Sequence, residues 1–438
     1  MLRDRVNCDK MERKGSGCAR MKKLICLLTA LLMLCLSAAG LCEKDIELPS
    51  DLTVIEAEAF RNVPMEYLVI PEGTKRIESK AFAGCGIKQV VLADSLEYIA
   101  PDAFGEVGNL WVKASSGSYA EAWAKENNAI LVIGLDVASR SQAEISAFIK
   151  AHPASTESTE TYRREPSIQE PLIGGLLSEK SNGNAINMLN QIRYIAGLNA
   201  DVVIDHALEE KLSAASLIHA LNDMIDHYPR RPTLMADAKY DQLYADGRYG
   251  AACSNLADGP GNLADALLVY MYDSYWGVIN SVGHRRWILS PKMTKTAFGF
   301  CGAPDPEYGY MAYFSAMYAF DESGRGGQTT LAWPAAQTPL THFYTPEYHA
   351  WHVSLGRFVT ESAINVTLVS AQDGKTWRFN TQERDGIFYV DNDNIGLRGA
   401  VIFRPSDIVI QPGSTFYVAV EDTAKRVVVQ YSVTFFNP

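Results

Sequence analysis

The most regular feature of the sequence is a pattern of apolar positions that repeats every 22 residues near the N-terminus. The segments IEAEAF, IESKAF and IAPDAF begin at Ile55, Ile77 and Ile99, and a short apolar strand recurs between them in the same phase. A strand this short buries its apolar face only by stacking on its neighbours. The pattern therefore predicts a small solenoid of about three repeats, near the minimum number that is stable.

Residues 136–180 are rich in Ser, Thr, Glu and Pro, and this stretch predicts a short helix followed by a linker. Apolar residues at helical spacing return after it. HALEEKLSAASLIHALNDMI predicts a helix with Asp205 as its N-cap, and His219 falls on the apolar face, where we expect a core histidine rather than a metal ligand. TAFGFCGA and YMAYFSAMYAF predict strands. AINMLNQIRYIAGL predicts another helix, because its apolar positions have helical spacing: Ile186, Leu189, Ile192 and Ile195.

The pattern changes to alternating polar and apolar residues after Trp333-Pro334. Stretches such as AINVTLVSA and STFYVAVED lie between Gly, Pro and Asp turns, and this spacing predicts an antiparallel β-sandwich. His342, His349 and His352 are the only metal-like cluster in this part of the sequence, and we interpret them as scattered surface histidines.

Composition narrows the classes of function. The 438 residues carry a formal net charge of −11, and this balance argues against a phosphate-binding surface, so no nucleic-acid partner is expected. Met21-Lys22-Lys23 precedes the charge-free run LICLLTALLMLCL and the small residues of 37–40, a pattern typical of a secretory signal peptide. Translation is expected to start at Met21, and no later segment has the pattern of a membrane span.

Cys8, Cys18, Cys26 and Cys35 belong to the signal region, and four cysteines lie beyond it: Cys42, Cys85, Cys253 and Cys301. They are too few for a disulfide scaffold. Cys253 and Cys301 fall in one predicted domain, and both a disulfide and two buried free thiols fit the sequence.

Two resemblances add to these patterns. The Ile-x-x-x-Ala-Phe repeats with their Leu-Val-Ile-Pro strands resemble the BspA-like leucine-rich repeats of bacterial surface proteins, and SYAEAWAKENN is similar to their closing segment. The region from Ser181 to Ala335 resembles the CAP superfamily of cysteine-rich secretory, antigen 5 and pathogenesis-related-1 proteins. Three landmarks carry this second resemblance: the helix pair NQIRYIAGL and LSAASLIHA, the SNLADG segment, and GHRRWILSP with its following strand.

The CAP resemblance implies an α-β-α sandwich with a cleft that two histidines and two acidic residues often line. Carried over by position, the histidines fall on His227 and His284, one acid on Asp273, and the other on Ser254, where a hydroxyl replaces the carboxylate. The set implies at most a weak site for a divalent metal such as zinc, held by His227 and His284. Ser254 lacks a nucleophile elbow and is expected to cap the backbone.

The segment GHRRWILSP is expected to divide its residues between the cleft and the core. Gly283 and His284 face the cleft, and Arg285 joins the cleft wall if it meets an anionic ligand, although pairing of both arginines with acidic neighbours is the expectation we favour. The three residues that follow, Trp287, Ile288 and Leu289, are predicted to anchor the segment in the core.

The sequence thus predicts an α+β multidomain protein that is secreted or associated with the cell surface and acts in binding or adhesion to an extracellular protein, glycan or lipid. The CAP resemblance implies that its cleft takes a small apolar ligand or a weakly held divalent metal. The alternatives are a metal-dependent hydrolase, most plausibly a peptidase, that uses His227, Asp273 and His284, and a purely structural protein of the cell envelope. The predicted segments are the signal peptide with its extension at 1–42, the repeats at 43–135, a linker at 136–180, the CAP-like domain at 181–335 and an Ig-like β-sandwich at 336–438.

Overall fold

The computed structural model describes residues 48–49, 51–65, 67–87, 89–105, 110–114, 118–132, 137, 139–155, 160–305, 309–422 and 427–438. The predicted signal peptide lies outside these residues. The chain divides into two compact units, one of Met1–Lys113 with Gly117–Ile130 and one of Ala114–Ser116 with Leu131–Pro438.

The first unit contains two ladders of short parallel strands whose partners lie 22 residues apart, as the sequence predicts. In one ladder Ile55 pairs with Ile77, and in the other Leu68 pairs with Val90. The first ladder consists of β1 (Val54–Ile55), β3 (Arg76–Ile77) and β5 (Tyr98–Ile99), and the second of β2 (Tyr67–Val69), β4 (Gln89–Val91) and β6 (Trp111–Lys113).

A column of aromatic rings forms the core of the repeats. The rings of Phe60 and Phe82 stack with centroids 5.3 Å apart, and those of Phe82 and Phe104 repeat the same spacing. Helix α1 (Tyr119–Glu126), which Ser118 caps, places Trp123 against Phe104 at 5.6 Å. The segment SYAEAWAKENN therefore covers the last ring of the column, and β7 (Ile130–Val132) follows it.

The second unit begins with short strands and helices, among them the two helices predicted from apolar spacing. These are α2 (Gln142–Ala151), β8 (Tyr162–Arg164), β9 (Leu176–Leu177), α3 (Glu179–Ile195), β10 (Val203–Ile204) and α4 (Glu209–Asn222). Leu189, Ile192 and Ile195 are buried in α3. Asp205 caps a 3₁₀ turn, His206–Leu208, and not α4 itself, since its carboxylate accepts from the Ala207 N–H ahead of the helix.

The next elements build three layers. They are α5 (Asp241–Ala252), β11 (Ser254–Asp258), α6 (Leu263–Tyr272), α7 (Gly283–Ile288), β12 (Lys295–Thr296), β13 (Phe298–Pro304) and β14 (Met311–Tyr318). Strands β11, β14 and β13 form an antiparallel sheet in that order. Helices α4 and α5 pack on one face of it, and α3 and α6 share a core with the other face.

The close contact between α4 and the sheet depends on glycine. A Cβ at Gly299 of β13 would collide with the backbone carbonyl of Leu212 in α4. Buried Leu212 and Ala215 of α4 meet Ala316 of β14 in the same core cluster. His219, further along α4, is fully buried with its Nε2 2.9 Å from the Asp226 carbonyl oxygen, so the prediction of a core histidine agrees with its position.

The remaining strands form two sheets. One contains β15 (Leu331–Trp333), β17 (Trp351–Ser354), β21 (Ala400–Pro405) and β20 (Gly386–Asp391) in that order, and β15 begins ahead of the predicted boundary at residue 336. The other contains β16 (Gln337–Pro339), β23 (Val427–Phe436), β22 (Thr415–Asp422), β18 (Ile364–Ser370) and β19 (Thr376–Phe379). The sheets pack through aromatic rings, with Trp351 and Phe416 5.7 Å apart and Phe379 and Phe403 5.3 Å apart.

The prediction that His342, His349 and His352 lie on the surface is wrong, because all three are buried. His342 has a partner on each ring nitrogen, Gln191 at 2.8 Å and Thr341 at 3.0 Å. Burial lowers the pKa of each imidazole, and that of His342 to about 4, so these histidines are neutral parts of the core.

Candidate functional site

A cavity of about 340 Å³ brings together three of the residues that the sequence places in one cleft: His227, Ser254 and His284. The remaining lining residues are largely apolar or aromatic: Tyr228, Ala252, Asn255, Val278, Ser281, Gly283, Trp287, Phe320 and Ile395. A concave site of this size, with a few polar groups among apolar walls, has the properties of a small-molecule site.

His284 reaches the cavity from the first turn of α7 and is held from behind by Asp273. Its Nδ1 lies 3.0 Å from Asp273 Oδ1, and the carboxylate is 1% exposed. A carboxylate only accepts, so Nδ1 carries the proton and Nε2 is the nitrogen left for a ligand. Burial alone would lower the pKa of His284, but the charge of Asp273 and the hydrogen bond to it outweigh burial and raise that pKa.

The Asp273 position depends on the end of α6. Asp273 follows the last residue of the helix in the left-handed region, with φ 40°, and its N–H bonds to the Val269 carbonyl oxygen. Its Oδ2 accepts from the backbone N–H of Arg285 at 3.3 Å. Asp273 therefore ties α6 to α7 and touches the cavity only through His284, whereas the sequence predicts it in the cleft itself.

His227 and Ser254 are oriented by backbone carbonyl groups. His227 Nδ1 lies 2.9 Å from the Ala251 oxygen, and because a carbonyl only accepts, Nδ1 is again the protonated nitrogen. Ser254 donates to the Gly250 carbonyl oxygen at 2.6 Å, which is the capping role expected from the sequence. With its proton engaged by that carbonyl, the Ser254 hydroxyl has no base to activate it.

The expectation that Arg285 lines the cleft is wrong. Its side chain is fully buried and donates to three carbonyl oxygens, of Met271, Tyr272 and Ala350, each at 2.7 Å. Burial lowers the pKa of Arg285 to about 10. Met271, Tyr272 and Ala350 are not among the residues that line the cavity, and through their carbonyl groups the guanidinium joins the end of α6 to the residue before β17.

Trp287 is also placed differently from the prediction. Ile288 and Leu289 are buried as expected, but Trp287 is half-buried in the cavity wall, with its ring 4.7 Å from that of Phe320. Asn255, which no sequence pattern singled out, lines the cavity and donates to the backbone oxygen of His284 at 2.9 Å. Its position next to Ser254, within the SNLADG segment that carries part of the CAP resemblance, was the available signal.

The side chains around the cavity determine whether it can hold a metal ion. Among the described residues no group of three or more His, Cys, Asp or Glu side chains is arranged to hold a metal ion. The two imidazoles at the cavity keep Nε2 as a lone-pair donor, and each has the hydrogen bond on Nδ1 that metal-binding histidines usually make. Of the described His, Cys, Asp and Glu side chains, a cation at the cavity would therefore have at most these two imidazoles as ligands and would need oxygen atoms, such as those of water, for the rest.

The described cysteines are free thiols: Cys85, Cys253 and Cys301. Of the two alternatives left open by the sequence, the structure thus has the unpaired state of Cys253 and Cys301. Burial raises the pKa of Cys301 to about 12, which keeps its thiol protonated.

Comparison with known proteins identifies the N-terminal repeats. A family model described as BspA type leucine rich repeat region (6 copies) matches residues 40–113, which is less than half of the chain. Repeats of this type are typical of surface or secreted bacterial proteins and indicate protein binding. Searches of the curated proteins and of the solved structures found no match. No helix within the described residues is long and apolar enough to cross a membrane.

Proposed function

We propose that this is a secreted bacterial binding protein in which the repeats contact an extracellular protein and the cavity takes a small ligand with an apolar part. The match of residues 40–113 to BspA-type repeats supports this contact with an extracellular protein. A solenoid offers a continuous surface whose side chains belong to successive repeats, which suits a protein partner or a glycan.

Support for a CAP-like middle domain comes from the arrangement of its elements. Helices lie on both faces of an antiparallel sheet, and His227, Ser254 and His284 meet at one cavity although 57 residues of chain separate the first from the last. The resemblance implied this convergence. Asp273, the fourth position, lies directly behind His284.

The observation that carries the proposal is the composition of the cavity wall. Trp287, Phe320 and Ile395 supply apolar surface beside the two imidazoles, so the cavity suits a lipid-like ligand with one polar group. Transfer of the ligand's apolar part from water supplies the binding free energy, and the imidazoles fix the polar group.

Fluorescence titration with anilinonaphthalene sulfonate, an apolar dye with one anionic group, tests this proposal on the full chain. We expect saturable binding that weakens about tenfold in Trp287→Ala. Trp276→Ala is the matched control, because Trp276 is 92% exposed and is not among the lining residues. No saturable binding by the wild type, or equal affinities in the two tryptophan variants, would overturn the proposal.

A metal-dependent hydrolase, most plausibly a peptidase, is the second candidate, and the orientation of the two histidines favours it. Both imidazoles leave Nε2 free, and His284 is polarised by a buried carboxylate, so a bound cation could activate water there. Calorimetric titration with Zn²⁺ tests this candidate. It requires binding that is lost in His227→Gln and His284→Gln, together with a peptidase activity lost in parallel. His152→Gln is the control and should keep the binding, because His152 is exposed at the end of α2 and is not among the lining residues. Absence of Zn²⁺ binding by the wild type would exclude it.

A further inference from the structure

One residue of the cavity wall comes from a distant part of the chain. The other lining residues lie between His227 and Phe320, whereas Ile395 belongs to the loop that joins β20 and β21 of the C-terminal sheets. Its side chain is directed at the start of α7, since a Cβ built on Gly283 would lie 3.7 Å from Ile395 Cδ1. The loop of residues 392–399, which we call the wall loop, thus reaches the cavity at the residue before His284.

A buried ion pair fixes the first part of the wall loop to α7. The Arg286 side chain is 1% exposed and pairs with the Asp391 carboxylate just before the loop. It also donates to the Asp393 carbonyl oxygen at 2.8 Å and to that of Ser281 at 3.1 Å. A buried guanidinium with these partners is costly to separate from them, so the loop is held against the cavity.

Two further contacts fix the rest of the wall loop. The Asn392 side chain accepts from the Val359 N–H and donates to the Val359 carbonyl oxygen, both at 2.8 Å. Gly396 lies so close to α7 that a Cβ would collide with the Arg286 carbonyl oxygen. Ile395 lies between these anchored positions, so its side chain has a defined place in the wall.

We propose that the C-terminal sheets form part of the ligand site, with Ile395 limiting the length of the aliphatic chain that the cavity accepts. This inference depends on the ligand-binding role proposed above. If the C-terminal sheets acted only as a spacer, no apolar side chain from them would have to lie in the cavity wall on a loop that a buried arginine holds in place. The wall combines Ile395, Trp287 and Phe320 with the imidazoles of His227 and His284, so the ligand class is an amphiphile with an aliphatic chain and one polar head group.

Displacement of anilinonaphthalene sulfonate by straight-chain fatty acids, from octanoate to palmitate, measures the accepted chain length on the full protein. Ile395→Ala removes three carbons from the wall, and we expect the preferred chain to become longer, with octanoate bound about fivefold more weakly. Ile395→Phe adds volume, and we expect palmitate to bind about tenfold more weakly while octanoate is retained. Ile395→Leu keeps the volume and should keep the wild-type preference.

Val409→Ala is the control for aliphatic truncation, since Val409 lies in the segment between β21 and β22, is 77% exposed and is not among the lining residues. It should leave the chain-length profile unchanged. If the wild type binds the dye and fatty acids but the Ile395 variants keep its profile, the role of Ile395 is refuted and the binding cavity stands. If the wild type binds neither, the binding function fails and this inference fails with it. Circular dichroism of each variant confirms that it is folded.

Discussion

His284 and Asp273 form a hydrogen-bonded pair across two helices, with Nδ1 and Oδ1 3.0 Å apart, the carboxylate 1% exposed and the imidazole 26% exposed. The acid is therefore withdrawn from solvent and the histidine is the member that a ligand can reach. Because the folded state raises the pKa of His284, the stabilisation by this pair is complete below the ordinary histidine pKa. It is lost as the pH rises through the raised value.

Asp273→Asn should bring the pKa of His284 below that of a free histidine. The substitution removes the charge that raises the pKa and leaves the burial that lowers it. Asparagine tolerates the left-handed backbone at this position, where φ is 40°, so the fold is expected to persist. NMR titration of isotope-labelled histidine measures the shift, and eight histidines make assignment by substitution practical. Asp407→Asn, also at positive φ, is the control, and an unchanged His284 pKa in Asp273→Asn would contradict the pairing.

His342 should make the protein less stable in acid. Its pKa is about 4 in the folded state, below the ordinary value, so the unfolded chain binds one more proton between these two pH values and stability falls as the pH drops through them. This difference in proton binding lowers the free energy of unfolding by about 3 kcal/mol by pH 4. Urea unfolding at a series of pH values should show a smaller loss in His342→Gln than in the wild type, and parallel curves would contradict it.

Gly299→Ala should lower the stability of the second unit by about 3 kcal/mol, because the new Cβ would collide with the Leu212 carbonyl oxygen and push α4 off the sheet. Gly183→Ala is the matched control. Gly183 lies within α3 with nothing within 4 Å of a built Cβ, so alanine there should stabilise by about 0.5 kcal/mol. Calorimetric melting of both variants measures the contrast, and similar melting temperatures would refute the close packing of α4.

Gly396→Ala should weaken binding of the apolar dye severalfold, since a Cβ there would force the wall loop away from Arg286. Gly413→Ala has the same kind of positive φ, 88° against 53°, but nothing within 4 Å of the built Cβ. Both variants should lose about 1 kcal/mol to backbone strain, and only Gly396→Ala should lose affinity. Equal affinities in the two variants would show that the position of the loop does not matter for binding.

Periodicity predicted the repeats well, because each contact in a solenoid recurs at the period of the sequence. Phe60, Phe82 and Phe104 stack at equal spacing, and Lys75 pairs with Glu97, 22 residues away, at 2.7 Å. A residue in one repeat is therefore predicted to contact the residue at the same position in the next repeat. The helices α3 and α4 were equally visible from their apolar spacing.

The cavity was only partly predictable. Position in a resembled family indicated His227, Ser254 and His284, and all three line it. Ile395 lies more than a hundred residues from His284, and no local pattern marks a side chain that completes a distant wall. Its place in the wall depends on tertiary contacts, such as those of Arg286 with Asp391 and Asp393.

Polarity does not indicate exposure at Arg285 or at His342, His349 and His352, all of which are buried. A charged or ionisable residue is usually exposed, but Arg285 is buried because three backbone carbonyl groups satisfy it. His349 lies between the carbonyl oxygens of Tyr344 and Met271 in the same way. Such partners are main-chain atoms, which the identity of the side chains does not reveal.

The central claim is that the cavity beside His227 and His284 is a ligand site with Ile395 in its wall. The most direct test is a crystal structure of the protein with a fatty acid that carries bromine at the end of its chain, located by anomalous scattering. We expect the bromine within about 4 Å of Ile395, Trp287 or Phe320. A bromine peak elsewhere on the protein, or an empty cavity under conditions where the fatty acid binds in solution, would contradict the claim.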